Sequence, residues 1–227
     1  MDALLDQEVL KHECPAEWMS IADERIVVWV DPLDGTSEYT QGFLDHVTVL
    51  IGISVDGKAV AGVISQPFQN YQNDPNPTGR TIWAVVGLGA FGIRRTDAPR
   101  DKLIITTTRS HGNRDITQSL EALQPCEVLR VGGAGHKVLL VIEGKAHAYV
   151  FPSAGCKKWD TCGPEAVLRA NGGILTDILG NDIMYHKTVG FVNESGVLAT
   201  VDRQIFDKCL TLIPPEVKHN LIPKHSL

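Results

Sequence analysis

Apolar positions follow two rhythms along the chain, and the change falls near residue 100. Residues 26–31, IVVWVD, form a near-continuous run of β-branched and aromatic side chains, which predicts a buried strand that ends on a carboxylate. VTVLIGISV (47–55) and AVAGVIS (59–65) flank Asp56-Gly57, a pair suited to a two-residue turn, so this stretch predicts a hairpin. Residues 67–80 hold three of the twelve prolines with several Asn and Gln, and read as a loop. TIWAVVG and AFGI add two strands around a glycine pair, so the first half is mostly antiparallel β.

The second half alternates. LIITTT (103–108), EVLRV (127–131) and HAYVF (147–151) predict strands. ITQSLEALQ (116–124), KVLLVIEG and PEAVLRANG predict helices between and after them. ILTDI, GVLAT and a last helix near 203–212 complete the pattern. Alternation of this kind implies a partly parallel sheet with phosphate sites at strand ends. The chain divides into a polar, weakly helical connector (1–24), a mainly antiparallel β part (25–100) and an α/β part (101–227). The last two are expected to form one compact unit.

Composition narrows the class. At 227 residues, with 43 % hydrophobic and 21 % charged residues, this is an ordinary globular chain able to bury a sizeable core. The net charge of −6 argues against a nucleic-acid polymer as partner. It leaves room for a small phosphate compound, because bound metal ions reverse the local sign. Cys14, Cys126, Cys156, Cys162 and Cys209 are odd in number and show no C-x-x-C spacing, which favours free thiols in a reducing compartment over disulfides or zinc. The opening MDALLDQEVLKHEC is acidic and has no apolar core, no run reaches membrane-spanning length, and the terminal HSL does not match S-K-L. A cytoplasmic protein without a membrane partner is the expectation.

Two stretches carry candidate chemistry. In Asp31-Pro32-Leu33-Asp34-Gly35-Thr36, a strand delivers one carboxylate and a second follows three residues later. Pro32 fixes the backbone and Gly35 permits a tight turn. Converging carboxylates repel unless a cation lies between them, and hard oxygen ligands select magnesium or calcium. The Leu33 carbonyl could add a ligand, and the Thr36 hydroxyl could orient a metal-bound water. The same residues also make a common acidic turn. In Trp159-Asp160-Thr161-Cys162-Gly163-Pro164-Glu165-Ala166, Pro164 suits the first turn of a helix, which would set Asp160 near the N-cap. Asp160 is then either a cap or a further metal ligand. Thr106 to His111 and Gly132 to Lys137 lie at predicted strand ends, but neither has the G-K-[ST] ending of a P-loop.

In order and separation, WVDPLDGT followed by WDTCGPEAVL resembles the two-part signature of the inositol monophosphatase-like superfamily. VTVLIGIS, KAVAGVISQP, GRTIWAVVGLGAFG, IITTTRSH, LRVGGAGHK and GCKKWDTCGPEAVL resemble, in particular, its 3'(2'),5'-bisphosphate nucleotidases. The similarity runs from about residue 10 almost to the C-terminus. It implies an α/β fold, the layered α+β sugar-phosphatase arrangement αβαβα, with two or three Mg2+ ions. It implies Asp31, the Leu33 carbonyl, Asp34 and Asp160 as metal ligands. Thr36, with Asp31, would activate the attacking water, and Thr108, His111, Gly133 and Lys137 would hold the nucleotide. The implied activity is lithium-sensitive, magnesium-dependent removal of the 3'(2')-phosphate from 3'-phosphoadenosine 5'-phosphate, giving AMP and phosphate. Two alternatives stay open. One is inositol polyphosphate 1-phosphatase or inositol monophosphatase activity, and the other is a non-catalytic nucleotide-binding fragment.

The chain departs from the family pattern before Asp31. Relatives carry helices and a G-E-E/D element there, which supplies a metal-bridging glutamate, and a further acidic residue that assists the water. Glu8, Glu13 and Glu17 lack that context and are assigned no such role. The expectation is an N-terminally truncated chain without the N-terminal helices. It would have impaired turnover, doubtful full metal occupancy, and an exposed apolar face that turns a family monomer toward association.

Overall fold

The computed structural model of the chain describes residues 7–73, 79–96, 98–99 and 101–223. Its first sheet is an antiparallel meander in sequence order, built from β1 (Ile26–Asp34), β2 (Thr48–Val55), β3 (Lys58–Gln66), β4 (Arg80–Val85) and β5 (Gly89–Phe91). The β2–β3 turn forms as the sequence predicts. Asp56 and Gly57 both take positive φ, 50° and 79°, the requirement of a type I′ turn. Of the expected loop at 67–80, residues 74–78 lie outside the described residues, and Arg80 already belongs to β4.

The second sheet contains β6 (Ile104–Thr108), β7 (Glu127–Val131), β8 (Ala148–Phe151), β10 (Ile174–Thr176) and β12 (Val197–Thr200), in the order β10-β12-β8-β6-β7. β6 runs parallel to both β7 and β8, whereas β12 and β10 are antiparallel, so the sheet is partly parallel. A short pair, β9 (Cys156–Lys157) with β11 (Val192–Asn193), stands apart.

Helices fill the layers. α1 (Thr36–Thr40) is a single turn after β1, and α2 (Arg114–Leu123), α3 (Ala134–Ile142), α4 (Lys158–Ala170), α5 (Arg203–Leu212) and α6 (Pro215–Asn220) follow. α4 packs across β2 and β3, while α3 touches α4 on one side and β6, β8 and β12 on the other. α5 packs on β12, and α2 joins α5 and α6. The described residues therefore form four layers: sheet, helices, sheet, helices. Period-2 alternation sorts the second sheet between its two cores. Ile104, Tyr149, Phe151, Val197 and Ala199 face α3 and α4, whereas Ile105, Ala148, Val150 and Leu198 face Phe206, Ile213 and Val217.

The strand at 26–31 is not buried on both faces, as its continuous apolar run suggested. Trp29 is in the core, but Val28 and Val30 are 57 % and 50 % exposed, because no described layer covers the outer face of the first sheet. Half-buried Ile51, Ile53, Val63 and Trp83 share that outer face. No helix among the described residues is long and apolar enough to cross a membrane.

Three glycines fix how the sheet meets α4. A Cβ at Gly62 would lie 2.2 Å from the Gly163 carbonyl oxygen, and one at Gly52 would lie 2.4 Å from the Gly163 nitrogen. Helix backbone thus rests directly on strand backbone, which only glycine permits. This contact places the first turn of α4, and with it Asp160, against the end of β1.

Candidate metal and phosphate site

The site begins where β1 stops being regular. The β1–β2 register shifts between Asp31 and Asp34, where Pro32 has no N–H to give the ladder. The Leu33 N–H donates to Asp31 Oδ1 (3.0 Å), and Thr36 Oγ1 donates to the Leu33 carbonyl (3.0 Å). Gly35, at φ 83°, turns the chain into α1. Asp34 is 6 % exposed and heavily paired. Its Oδ1 accepts from Ala134 N (2.9 Å), and its Oδ2 accepts from Gly135 N (2.9 Å) and Thr48 Oγ1 (2.5 Å). Asp34 thus caps the N-terminus of α3 from a strand of the other sheet. Burial still raises its pKa, against the pull of Thr48, Lys137 and the two amides.

Asp160 differs from the sequence expectation. It is the third residue of α4, not its N-cap, and Pro164 lies inside the helix, not in its first turn. The helix starts earlier because Lys157 serves as N-cap and its N–H donates to Asp160 Oδ2 (2.7 Å). Pro164, the seventh residue of α4, has no N–H to give the Asp160 carbonyl one turn back. Burial, with the nearby charges of Asp34 and Asp31, pushes the Asp160 carboxyl up to about 7, and Asp31 is within hydrogen-bonding reach of it.

A cavity of about 470 Å³ opens beside these groups. Asp34, Thr36, Thr108, His111, Gly133, Lys137 and Asp160 all line it, so two separate carboxylate motifs and two separate loops meet there. Lys137 is 5 % exposed, donates to the Gly133 carbonyl (2.7 Å) and sits 5.1 Å over the Tyr149 ring. Burial lowers its pKa, opposed by Asp34. His111 donates its N–H to Thr108 Oγ1 (3.2 Å), and its Nδ1 is held by Ser110 Oγ (2.9 Å). Glu8 pairs with Lys11, Glu17 lies beside Gly87 and Glu13 is exposed; none of the three lines the cavity.

Several lining residues were missed in the sequence. Tyr149 and Phe151 share a parity on β8, so strand alternation would have placed them on one face together. Glu38 sits on a helix too short to show periodicity, and Cys156 follows a loop with no pattern.

The donor set suits a hard divalent cation. Among the described residues no three His, Cys, Asp or Glu side chains gather closely enough to surround one ion. Magnesium, however, is ordinarily held by one or two carboxylates, with water and substrate oxygens completing the shell. The Asp31–Asp160 pair offers two such carboxylates, and the Asp160 carboxyl is raised chiefly by burial, with the charges of Asp34 and Asp31 adding to it, a cost that a cation would relieve.

Two sheets with a helical layer between them, and a cavity lined by carboxylates, a lysine and a histidine, define a layered α/β protein. The inositol monophosphatase family matches over residues 3–211, and the chain belongs to that family of phosphoric monoester hydrolases. It is 56 % identical to the human 3'(2'),5'-bisphosphate nucleotidase 1 over 218 residues, covering 96 % of this chain and 70 % of that protein. It is 44 % identical to the Dictyostelium discoideum protein of the same name, covering 88 % of this chain and 68 % of that one. Among solved structures, the extragenic suppressor protein suhB from Bartonella henselae superposes with a TM-score of 0.64 at 25 % identity, over 84 % of this chain and 74 % of that one.

Proposed function

We propose that this chain binds 3'-phosphoadenosine 5'-phosphate and removes its 3'(2')-phosphate with magnesium, giving AMP and phosphate. The observation that carries the reading is the convergence of Asp160 and the Asp34–Thr36 turn on a cavity also lined by Thr108, His111, Gly133 and Lys137, with Asp31, which does not line it, within hydrogen-bonding reach of Asp160. Similarity to proteins named bisphosphate nucleotidase supports the nucleotide over an inositol phosphate.

The roles divide by region. Residues 25–100 supply Asp31, the Leu33 carbonyl and Asp34, and residues 101–227 supply Asp160 and the nucleotide-binding groups. Magnesium at Asp31, Asp160, Asp34 and the Leu33 carbonyl would lower the pKa of water and neutralise the leaving oxygen. Thr36, tied to the Leu33 carbonyl, orients a water at the same edge of the cavity. Lys137 contributes positive charge from the cavity floor, and Thr108 with His111 binds the nucleotide end. Of the lining carboxylates, Asp34 and Asp160 are assigned to the metal and Glu38 is paired with Arg109, which leaves none as base, so we expect turnover about 10²–10⁴-fold below that of a relative with one.

The test is phosphate release with magnesium from 3'-phosphoadenosine 5'-phosphate and inositol 1-phosphate, side by side, for this chain and its Asp31→Asn variant. The expected result is slow release from the nucleotide only, lost in the variant and inhibited by lithium. Preference for inositol 1-phosphate, or full activity in Asp31→Asn, would overturn the reading.

A further inference from the structure

Beside the cavity is a buried charge pair that the chemistry above does not use. Glu38, two residues after Thr36, has a side chain only 3 % exposed. It lies flat against the chain before Gly133: a Cβ at Gly132 would sit 1.8 Å from Glu38 Cδ. Its Oε1 accepts from Arg109 Nη2 (3.2 Å), and the same nitrogen donates to Gln41 Oε1 (2.9 Å). The Arg109 guanidinium also stacks on Phe43, 4.2 Å from the ring centroid. Arg109 is itself fixed, since its N–H donates to the Val131 carbonyl (3.2 Å) and extends the β6–β7 ladder by one residue.

Three separate segments meet at this pair. One is α1 with Thr36, one is the strand end with Thr108 and His111, and one is the glycine turn leading to Lys137. Glu38 lines the cavity, whereas Arg109 does not. A carboxylate left alone in that wall would repel an incoming phosphate and would be costly to bury.

We propose that Arg109 is a positioning residue: by pairing with Glu38 it cancels a buried carboxylate in the phosphate-facing wall and fastens the Thr36 helix to the Thr108–His111 loop. The proposal rests on the reading of this cavity as a nucleotide phosphate site. It concerns binding, so it can be tested without turnover.

The experiment is calorimetric titration of AMP, with magnesium, into the 227-residue chain and its variants, each first checked for a cooperative melt. Arg109→Met should weaken AMP by about tenfold, because it strands the Glu38 charge. Adding Glu38→Gln to Arg109→Met should restore most of the loss, although the double variant has no more packing than the single one. A purely structural role for Arg109 would give no such rescue. Should Arg109→Met not melt cooperatively, Arg109→Lys takes its place. That variant keeps the charge but loses the planar fork, and about threefold weaker binding is expected. Wild-type affinity in the arginine variant tested, or a double variant no better than Arg109→Met, would overturn the proposal while leaving the nucleotide reading intact. A wild-type chain that melts cooperatively and binds no AMP would overturn both.

Discussion

The turn after β1 and the first turn of α4 bring carboxylates to one cavity, but the two regions are finished differently. Asp34 is surrounded by donors: two helix amides, a threonine hydroxyl and, further off, Lys137. Its charge is balanced by the chain itself, and its place in the fold is that of a clasp between the two sheets. Asp160 has one amide donor and faces Asp31, another carboxylate. The Cys156 thiol is also within hydrogen-bonding reach and Lys137 acts on it from further off, yet burial and the neighbouring carboxylates still disfavour the charged form of Asp160. For the proposed metal site, the difference marks the Asp31–Asp160 pair as the side with most charge left to balance, and Asp34 as the ligand that the chain itself holds in place.

The comparison depends on α4 being held in place, and the glycine seam is where it breaks most severely. Gly62→Ala drives a methyl to 2.2 Å from the Gly163 carbonyl, a backbone atom that cannot swing aside. Urea denaturation should show a loss of about 3 kcal/mol. Gly112→Ala is the control, because it meets nothing within 4 Å. It should stay within about 0.5 kcal/mol of the parent. Equal stability of the two variants would mean that Asp160 is not positioned by this contact.

The second test sets the two carboxylates against each other. Asp34→Asn places an amide where three donors converge, and should cost about 2 kcal/mol in metal-free protein. Asp160→Asn keeps an acceptor for the Lys157 N–H, since the Asn side-chain amide oxygen can take the place of the carboxylate oxygen. It also removes the repulsion with Asp31, so metal-free stability should hold or rise slightly while the stabilisation by magnesium is lost. If both variants lose stability equally, and Asp160→Asn still responds to magnesium, the distinction drawn here is wrong.

Legibility in the sequence followed the same division. The first sheet could be read residue by residue, because strand length, alternation and the Asp56-Gly57 turn are local signals, and the paired strands lie next to each other in sequence. The second sheet was legible as alternating strands and helices, but its order β10-β12-β8-β6-β7 was not, since it depends on packing between distant segments. Asp31 and Asp34 announce themselves at a strand end. The sequence also flagged Asp160, but its helix start was misplaced by six residues, because Pro164 is a start signal that here sits in the helix interior. α6 was missed although Pro214-Pro215 marks its start. Arg109 lay inside the flagged Thr106–His111 stretch, but its pairing with Glu38 carried no signal, because it joins residues 71 apart.

The smallest expected effect is one of pH, and it separates the carboxylate proposed to hold the cation from one that is merely buried. Asp160 and Glu165 are both pushed up to about 7, in each case chiefly by burial. Their unfolded-state values lie near 3.8 and 4.5. Between those values and about 7, the folded chain holds protons that the unfolded chain has released, so stability falls as pH rises through that window. His136, held down to about 3 by burial, and His46 act the other way, costing stability as pH falls below about 6.5, so the carboxylate part, a few degrees between pH 5 and pH 8, is read as the difference between each carboxylate variant and the parent. Glu165 is engaged by Tyr185, which donates to it (2.6 Å), and by Arg169, and it does not line the cavity. Magnesium should then recover only the part of the loss that belongs to Asp160, and should recover more at pH 8 than at pH 5, where protons compete for the site. In Asp160→Asn the magnesium response should vanish while a shallower pH slope, due to Glu165, persists. In Glu165→Gln the magnesium response should remain and the slope should become shallower. Thermal melts of the three proteins at the two pH values, with and without magnesium, measure all of this. A magnesium response that survives Asp160→Asn but disappears in Glu165→Gln would move the cation from the cavity to the buried face of α4.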